Sequence, residues 1–372
     1  MEFQDYFDKM KEIQEKFLEF LNDEVNCDDI ITFFDDQKIF NDTNLFKSFL
    51  HMIVKISNGF HRSNGLIAKM EQIIQFFKEK IEQNFTNNEI FEIFKSNKRI
   101  LLILIENKLL TIDKSITLFI SEGKYLDAFY PHYFFPEVKP FLSKSLTEEI
   151  LKEIPDNFDK KRQIGENDNY ICQLIQNDSI DEFVSYVNQT NISLSIEIEP
   201  SIFETNPFLI KYTSTLIEYA AFYGSIQIFQ YLRLNKVNLE KFHFDLTPSL
   251  WFYSIHGNNA DIIHILEENH IRPLHDSYQD CFAESIKCHH NGIANYFITN
   301  YLSEKRENNF EIFITSIKYY NFAFVVVDHV RSSLFYLCRY DYFHIVKMIL
   351  DENIIDVNYK LRILKKIIMN TV

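Results

Sequence analysis

Apolar residues recur three and four apart along most of this 372-residue chain, a period that predicts helices rather than strands. Phe3, Phe7, Met10, Ile13, Phe17 and Leu21 make one stripe, and Ile67, Met70, Ile73, Ile74, Phe77 and Ile81 make another. A stripe of that width is the face a helix turns toward a core. Beyond residue 130 the pattern is interrupted by Pro131, Pro136, Pro140 and Pro155. Proline lacks the backbone N–H and collides with the preceding turn, so this segment cannot be one continuous helix. The expected fold class is therefore all-α, with an all-helical N-terminal region at 1–160 and a second region at 161–372.

The second region repeats. Shifting the chain by 34 residues lays Thr215–Leu232 (TLIEYAAFYGSIQIFQYL) on Ser249–Leu266 (SLWFYSIHGNNADIIHIL), with Leu216/Leu250, Tyr219/Tyr253, Ile228/Ile262, Leu232/Leu266 and Asn235/Asn269 identical. Each unit reads as a short helix, a tight turn at Gly224 or Asn258, and a second helix. The turn and the end of the second helix favour a left-handed backbone, which Gly adopts freely and Asn tolerates. Asn235, Asn258, Asn269 and Asn353 are thus expected where a glycine would otherwise stand. Helix pairs are predicted near 171–187, 216–234, 250–268, 280–298 and 334–351, each touching its neighbours in the chain. Phe91–Asn107 can be laid on Tyr253–Asn269 at a shift of 162, which places a cryptic repeat near 86–110. Trp251, the single tryptophan, takes the large apolar position of a first helix and is expected in the core.

Thr215–Leu232 resembles the ankyrin repeat motif T-P-L-H-x-A-A-x-x-G-H-x-x-I-V-x-x-L, agreeing at Thr215, Ala220, Ala221, Gly224, Ile228 and Leu232. Leu337–Asn353 fits the same frame, and Asp356-Val357-Asn358 looks like the closing D-V-N one residue late. Weaker copies begin at Ser285 and Ser316, and Ile171–Val187 has the two-helix form. Leu216 stands in place of the family's Pro and Glu218 in place of its His, and 188–214 is an insertion. The resemblance covers roughly residues 164–360, and the Asn- and Ile-rich character is similar to a large group of protist ankyrin proteins carrying a C-terminal domain of unknown function. It implies a degenerate repeat array acting as an interaction module with no assigned reaction. By the same resemblance, the two residues between the small pair and the turn lie on the concave side. This picks Phe222, Tyr223, His256, Lys287, Arg339 and Tyr340 as partner-binding residues, rich in types that dominate binding energy; the alternative for Phe222 and Tyr223 is that they pack beneath the 188–214 insertion.

Chemistry of other kinds finds little support. With 7 Gly there is no G-x-G or Walker-type loop to cradle a phosphate chain, and H-E-x-x-H, G-x-S-x-G and C-x-x-C are missing. Neither a cofactor nor a catalytic residue is expected. Cys281, Cys288, His289 and His290 form the most suggestive cluster, but six residues separate the cysteines and adjacent histidines diverge by about 100° on a helix, so no metal site is expected. A net charge of −15 opposes nucleic-acid binding and favours a basic or mixed protein partner. The basic run Lys160-Lys161-Arg162 reads as a solvated linker. No apolar run reaches the ~20 residues of a membrane span. The acidic start and an odd count of five unpaired cysteines fit a reduced, cytoplasmic setting. The expected function is a protein–protein interaction scaffold and not an enzyme. The alternative is an enzyme whose unrecognised active site lies in 1–160, with the repeats recruiting substrate.

Overall fold

A computed structural model describes residues 3–122, 127–239, 248–302 and 309–351. They form helices joined by short turns; among them the only strand-like pairing is one isolated bridge, Glu197 with Thr215. The N-terminal stretch holds α1 (Phe3–Leu21), α2 (Cys27–Asp36), α3 (Thr43–Gly59), α4 (Leu66–Asn84), α5 (Asn87–Phe94), α6 (Lys98–Glu106) and α7 (Lys114–Glu122). The proline-rich segment is broken into α8 (Tyr130–Tyr133), α9 (Phe135–Val138), α10 (Lys144–Leu151) and α11 (Phe158–Ile164), with Pro131 and Pro136 at helix starts where the missing N–H costs nothing. Then come α12 (Tyr170–Gln176), α13 (Ile180–Thr190), α14 (Pro207–Lys211), α15 (Leu216–Tyr223), α16 (Ile226–Leu234), α17 (Leu250–His256) and α18 (Ala260–Glu268). The chain continues through α19 (Tyr278–Lys287), α20 (Asn291–Tyr301), α21 (Asn309–Tyr319), α22 (Leu334–Arg339) and α23 (Phe343–Asp351). Two compact units result, Met1–Asn64 with Phe282–Val372 in one and Gly65–Cys281 in the other. The junction expected near 160 falls inside the second unit.

Within the unit Gly65–Cys281, α12/α13, α15/α16 and α17/α18 are helix pairs in chain order. The first helix of each pair packs on that of the next, as do the second helices. All three pairs have a residue with positive φ at the end of the first helix, and in α12/α13 and α15/α16 the N–H after it reaches the carbonyl five residues back. Ser179 bonds Leu174 after Asp178 (φ 49), and Ser225 bonds Ala220 after Gly224 (φ 61). The second helices end alike, at Lys236 and His270, with Val237 and Ile271 bonding Leu232 and Leu266. Asn235 and Asn269 precede the left-handed residue instead of occupying it, and each donates its side-chain amide to the carbonyl four residues back. Asn258 does adopt φ 45, whereas Asn353 and Asp356-Val357-Asn358 lie outside the described residues. The cryptic copy ends identically: Asn107 bonds Ile103, Lys108 is left-handed, and Leu109 bonds Leu104.

Side chains tie one pair to the next at the level of the turns. Asp178 accepts from the N–H groups of Gln227 and Ile228, the Ser225 hydroxyl donates to Ile175, and Asn259 donates to Gly224. Glu218, where the repeat motif has His, accepts from both the N–H and the hydroxyl of Thr215 at 2.7 Å and so caps α15. Trp251 is fully buried and donates to the Ile271 carbonyl at 3.0 Å, as a core tryptophan should. The basic run is not a linker. Lys161 pairs with Asp168 at 2.6 Å, and Arg162, 5% exposed, pairs with Glu137 at 2.9 Å.

The 188–214 insertion is stitched onto this unit. Asn167 donates to Glu199, Ser201 to Asp168, and Thr205 to Gly165. Glu204 sits at its centre, 6% exposed, with Oε1 accepting from the N–H groups of Thr205 and Asn206 while Oε2 is left without a partner. Burial pushes its carboxyl up to about 7, partly opposed by those N–H groups and by Lys98. A folded value raised above the ordinary 4.5 means stability that is full below pH 4.5 and lost as pH rises through 7. Glu204→Gln is therefore expected to be more stable than the parent by about 2–3 kcal/mol at pH 8, with the advantage closing toward pH 4.5. Urea unfolding at both pH values measures it, and an equal difference at the two would mean the carboxyl is not buried in its charged form.

In the unit Met1–Asn64 with Phe282–Val372, α1 buries the predicted stripe Phe3, Phe7, Met10, Ile13, Phe17 and Leu21. It packs against α2 and against the turn Phe322–Phe324. Gln14, fully buried on α1, donates to Asn321 Oδ1 at 2.8 Å and accepts from the Phe322 N–H at 2.6 Å. α3 packs on α23: Tyr6 donates to Ser48 and stacks on His344, and Asp341 pairs with Lys47. On α4, in the other unit, Leu66 takes the buried place expected for Ile67, which is half-buried.

Candidate binding face

The six predicted partner-binding residues divide three and three. Phe222, Tyr223 and His256 are interior, at 0%, 7% and 4% exposure, so their assignment to an open concave surface is corrected. The cause is the insertion. α14 lays Phe208 parallel to Phe222 (5.8 Å, 9°), edge-on to Tyr253 (5.0 Å) and against His256 (4.0 Å). The aromatic cluster that α14 makes with these side chains is core. Gly257, next to His256, is likewise a packing position: a Cβ there would lie 2.0 Å from the Ala221 carbonyl oxygen.

Lys287 and Tyr340 are half-buried and Arg339 is exposed, all in the unit Met1–Asn64 with Phe282–Val372. In the described part of its second segment, beyond Phe282, His289, Tyr320 and Asp341 are left-handed, and the 6→1 bond recurs from His290 to Ser285, Asn321 to Ser316 and Tyr342 to Leu337. Two positions before each of these turns stand Lys287, Lys318 and Arg339. In the other unit the same position carries Gln176, Phe222 and His256. Lys318 escaped the sequence reading, although the 31-residue shift that carries Ser285 to Ser316 also carries Lys287 to it.

Tyr319 is the hub of this face. Lys318 lies 5.1 Å and Lys287 6.0 Å from its ring centre, and burial pushes its phenol up to about 12. Tyr340 stacks on Tyr336 at 6.4 Å and accepts a bond from the Tyr320 hydroxyl through its carbonyl. Burial opposes the charge of Lys287, but the Glu284 carboxylate at 2.7 Å outweighs it and holds the ammonium above the ordinary lysine value. From α3 comes a third ammonium, Lys55, which no sequence signal singled out. Burial lowers its pKa, and Lys318 and Lys287 lower it further. Lys287 and Lys318 thus stand beside Tyr319 on a chain of net charge −15.

His289 Nε2 donates to the Tyr319 carbonyl at 2.9 Å and Nδ1 lies 3.3 Å from the Gln14 amide nitrogen, so both ring nitrogens are engaged. His290 stacks against Phe60 at 5.1 Å. Cys288 is buried, which pushes its thiol far above the ordinary value and away from the reactive thiolate. No helix among the described residues is long and apolar enough to cross a membrane. No protein-family model matches the chain, and no curated protein or solved structure is detectably similar to it.

Proposed function

We propose that this chain is a divergent ankyrin-repeat protein that holds a protein partner, and that it does so through the Lys287, Lys318, Arg339 and Tyr340 face. The observation that carries the reading is the recurrence of a basic residue two positions before three successive turns, beside half-buried tyrosines. A packed interior gives no reason for cations at those places, whereas a recognition surface does. The stacked helix pairs and their shared turn support the repeat identity. The enzyme alternative has weaker support, since 1–160 carries no recognisable catalytic motif and its buried Lys98 is paired with Asp127.

A photo-crosslinking amino acid placed at Tyr340 in the source cells is expected to yield one discrete protein adduct. The same group at Leu234, 72% exposed at the end of a second helix in the other unit, is expected to yield none. Lys318→Glu with Arg339→Glu should reduce the Tyr340 adduct at least about tenfold while leaving the melting temperature unchanged, because both residues are exposed. Equal adducts from both positions would remove the binding site from this face.

A further inference from the structure

Arg99, Glu166 and Glu204 gather around one turn of the unit Gly65–Cys281, and each carries polar atoms that the fold leaves unused. Gly165 caps α11, and a Cβ there would stand 2.7 Å from Cγ and Cδ of Arg99, so the arginine stem lies across the glycine. The Gly165 carbonyl accepts the Thr205 hydroxyl at 2.6 Å, which fixes the neighbouring Glu204 at the same turn, and Glu166 follows Gly165 in the chain. Glu204 Oε1 is held by the N–H groups of Thr205 and Asn206 at 2.9 and 2.8 Å, whereas Oε2 is buried with no partner. The Nε of Arg99 is likewise buried with none, and among the described residues neither its guanidinium nor the Glu166 carboxylate makes a hydrogen bond or ion pair. Lys98, the cation beside Arg99 in the chain, is already committed to Asp127 at 3.3 Å. Orphaned charges of both signs at one turn are costly, and a direct bond from Arg99 to either glutamate would relieve the cost. No such bond forms.

We propose that Arg99, Glu166 and Glu204 form a binding site for a small zwitterion of the α-amino acid class. The planar fork of a guanidinium matches a carboxylate through two parallel hydrogen bonds, so Arg99 takes the ligand's carboxylate. An ammonium has three donors and no acceptor, which suits Glu204 Oε2 and the Glu166 carboxylate together. An anion alone would leave the buried Glu204 oxygen unpaired, and a cation alone would leave Arg99 so. A zwitterion satisfies both and brings no net charge into the site. Arg99 and Glu166 are half-buried and Glu204 is 6% exposed, so the ligand enters past the outer pair and its ammonium stops at the inner carboxylate. The Lys287, Lys318, Arg339 and Tyr340 face belongs to the other unit, and this site goes beyond the function proposed for it.

Full-length protein titrated at neutral pH with glycine, L-alanine and L-serine, and separately with acetate and with methylammonium at matched ionic strength, is the test. The readout is the NMR signals of the Arg99 Nε–H group and the Glu204 side-chain carboxyl carbon. Saturable shifts at both are expected with at least one of the amino acids, and at neither with acetate or methylammonium over the same concentrations. Arg99→Gln should abolish them. Glu204→Gln should weaken binding about tenfold, because a neutral amide replaces the charged acceptor, and should do so without lowering the melting temperature. That variant separates loss of the site from loss of the fold. An acetate shift at Arg99 as large as the amino acids give would reduce the site to a lone anion contact and overturn it. A Glu204→Gln protein that binds as the parent does, or the absence of a saturable shift with all three amino acids, would overturn it too. The titration needs no protein partner, so its outcome and that of the Tyr340 crosslink are independent.

Discussion

Gly257→Ala is expected to destabilise the protein by about 3 kcal/mol or more. The backbone at Gly257 is ordinary, φ −67, so the glycine is not there for conformational freedom. It is there for space. A Cβ would stand 2.0 Å from the Ala221 oxygen and 3.2 Å from the Gly224 nitrogen, both backbone atoms. That carbonyl cannot swing aside, because it accepts the Gly224 N–H at 3.0 Å in the turn closing α15. Relief requires α15 and α17 to separate, and their contact is the one on which the stacking of the two pairs depends. Gly292→Ala is the control: its Cβ would meet nothing within 4 Å on α20, and the change should be neutral or slightly stabilising. Urea melts of the three proteins decide it; indistinguishable midpoints for Gly257→Ala and the parent would mean that the pairs are not packed at this distance.

Acid should weaken the fold through His289, by about 1.4 kcal/mol per pH unit below pH 6.5 and about 3 kcal/mol by pH 4. The hydrogen bonds alone dictate a neutral ring. Nε2 must carry the proton it donates to the Tyr319 carbonyl, and Nδ1 faces the donor amide of Gln14, whose other hydrogen goes to Asn321. A second proton on Nδ1 would set donor against donor in a fully enclosed site, and burial pushes the pKa down to about 3. The unfolded chain takes up that proton near pH 6.5 and the folded one does not, so stability is complete above 6.5 and lost as pH falls toward 3. His289→Asn, which suits the left-handed backbone at φ 59, should flatten the acid limb of the stability curve relative to the parent. A His289 ring that titrates near 6.5 in the folded protein by NMR would refute the assignment.

Local structure was legible because its causes are local. The stripe from Phe3 to Leu21 names its own buried face, and the helix pairs fall where the 34-residue shift put them, at 216–234 and 250–268. Even the copy at Phe91–Asn107 ends with the Asn and left-handed turn that its alignment on Tyr253–Asn269 foretold, although the left-handed residue is Lys108 and not the Asn itself. What could not be read was tertiary. Phe222, Tyr223 and His256 have the composition of a recognition surface; burial of Phe222 and Tyr223 beneath the 188–214 insertion was the open alternative, and the path of α14, which no periodicity fixes, decides for it by laying Phe208 on Phe222 and His256. Lys318 was within reach of the repeat frame; Lys55 was not, because it meets Lys318 and Lys287 from a helix more than two hundred residues away in the chain.

Separation along the chain has a further meaning for α1. Its partner Asn321 is 307 residues downstream of Gln14, and the whole of Gly65–Cys281 lies between. At about 5–20 residues per second, a ribosome needs on the order of 15–60 seconds to deliver that partner after α1 has emerged. Hydrophobic collapse takes microseconds, so the intervening unit has ample time to fold first, while α1 has α2 to pack on but lacks the Phe322–Phe324 turn that covers the rest of its apolar face. During synthesis this helix is therefore a natural client for a holding chaperone. A stop between residues 282 and 321 would release a chain whose Gly65–Cys281 unit is complete and whose α1 never meets the Phe322–Phe324 turn.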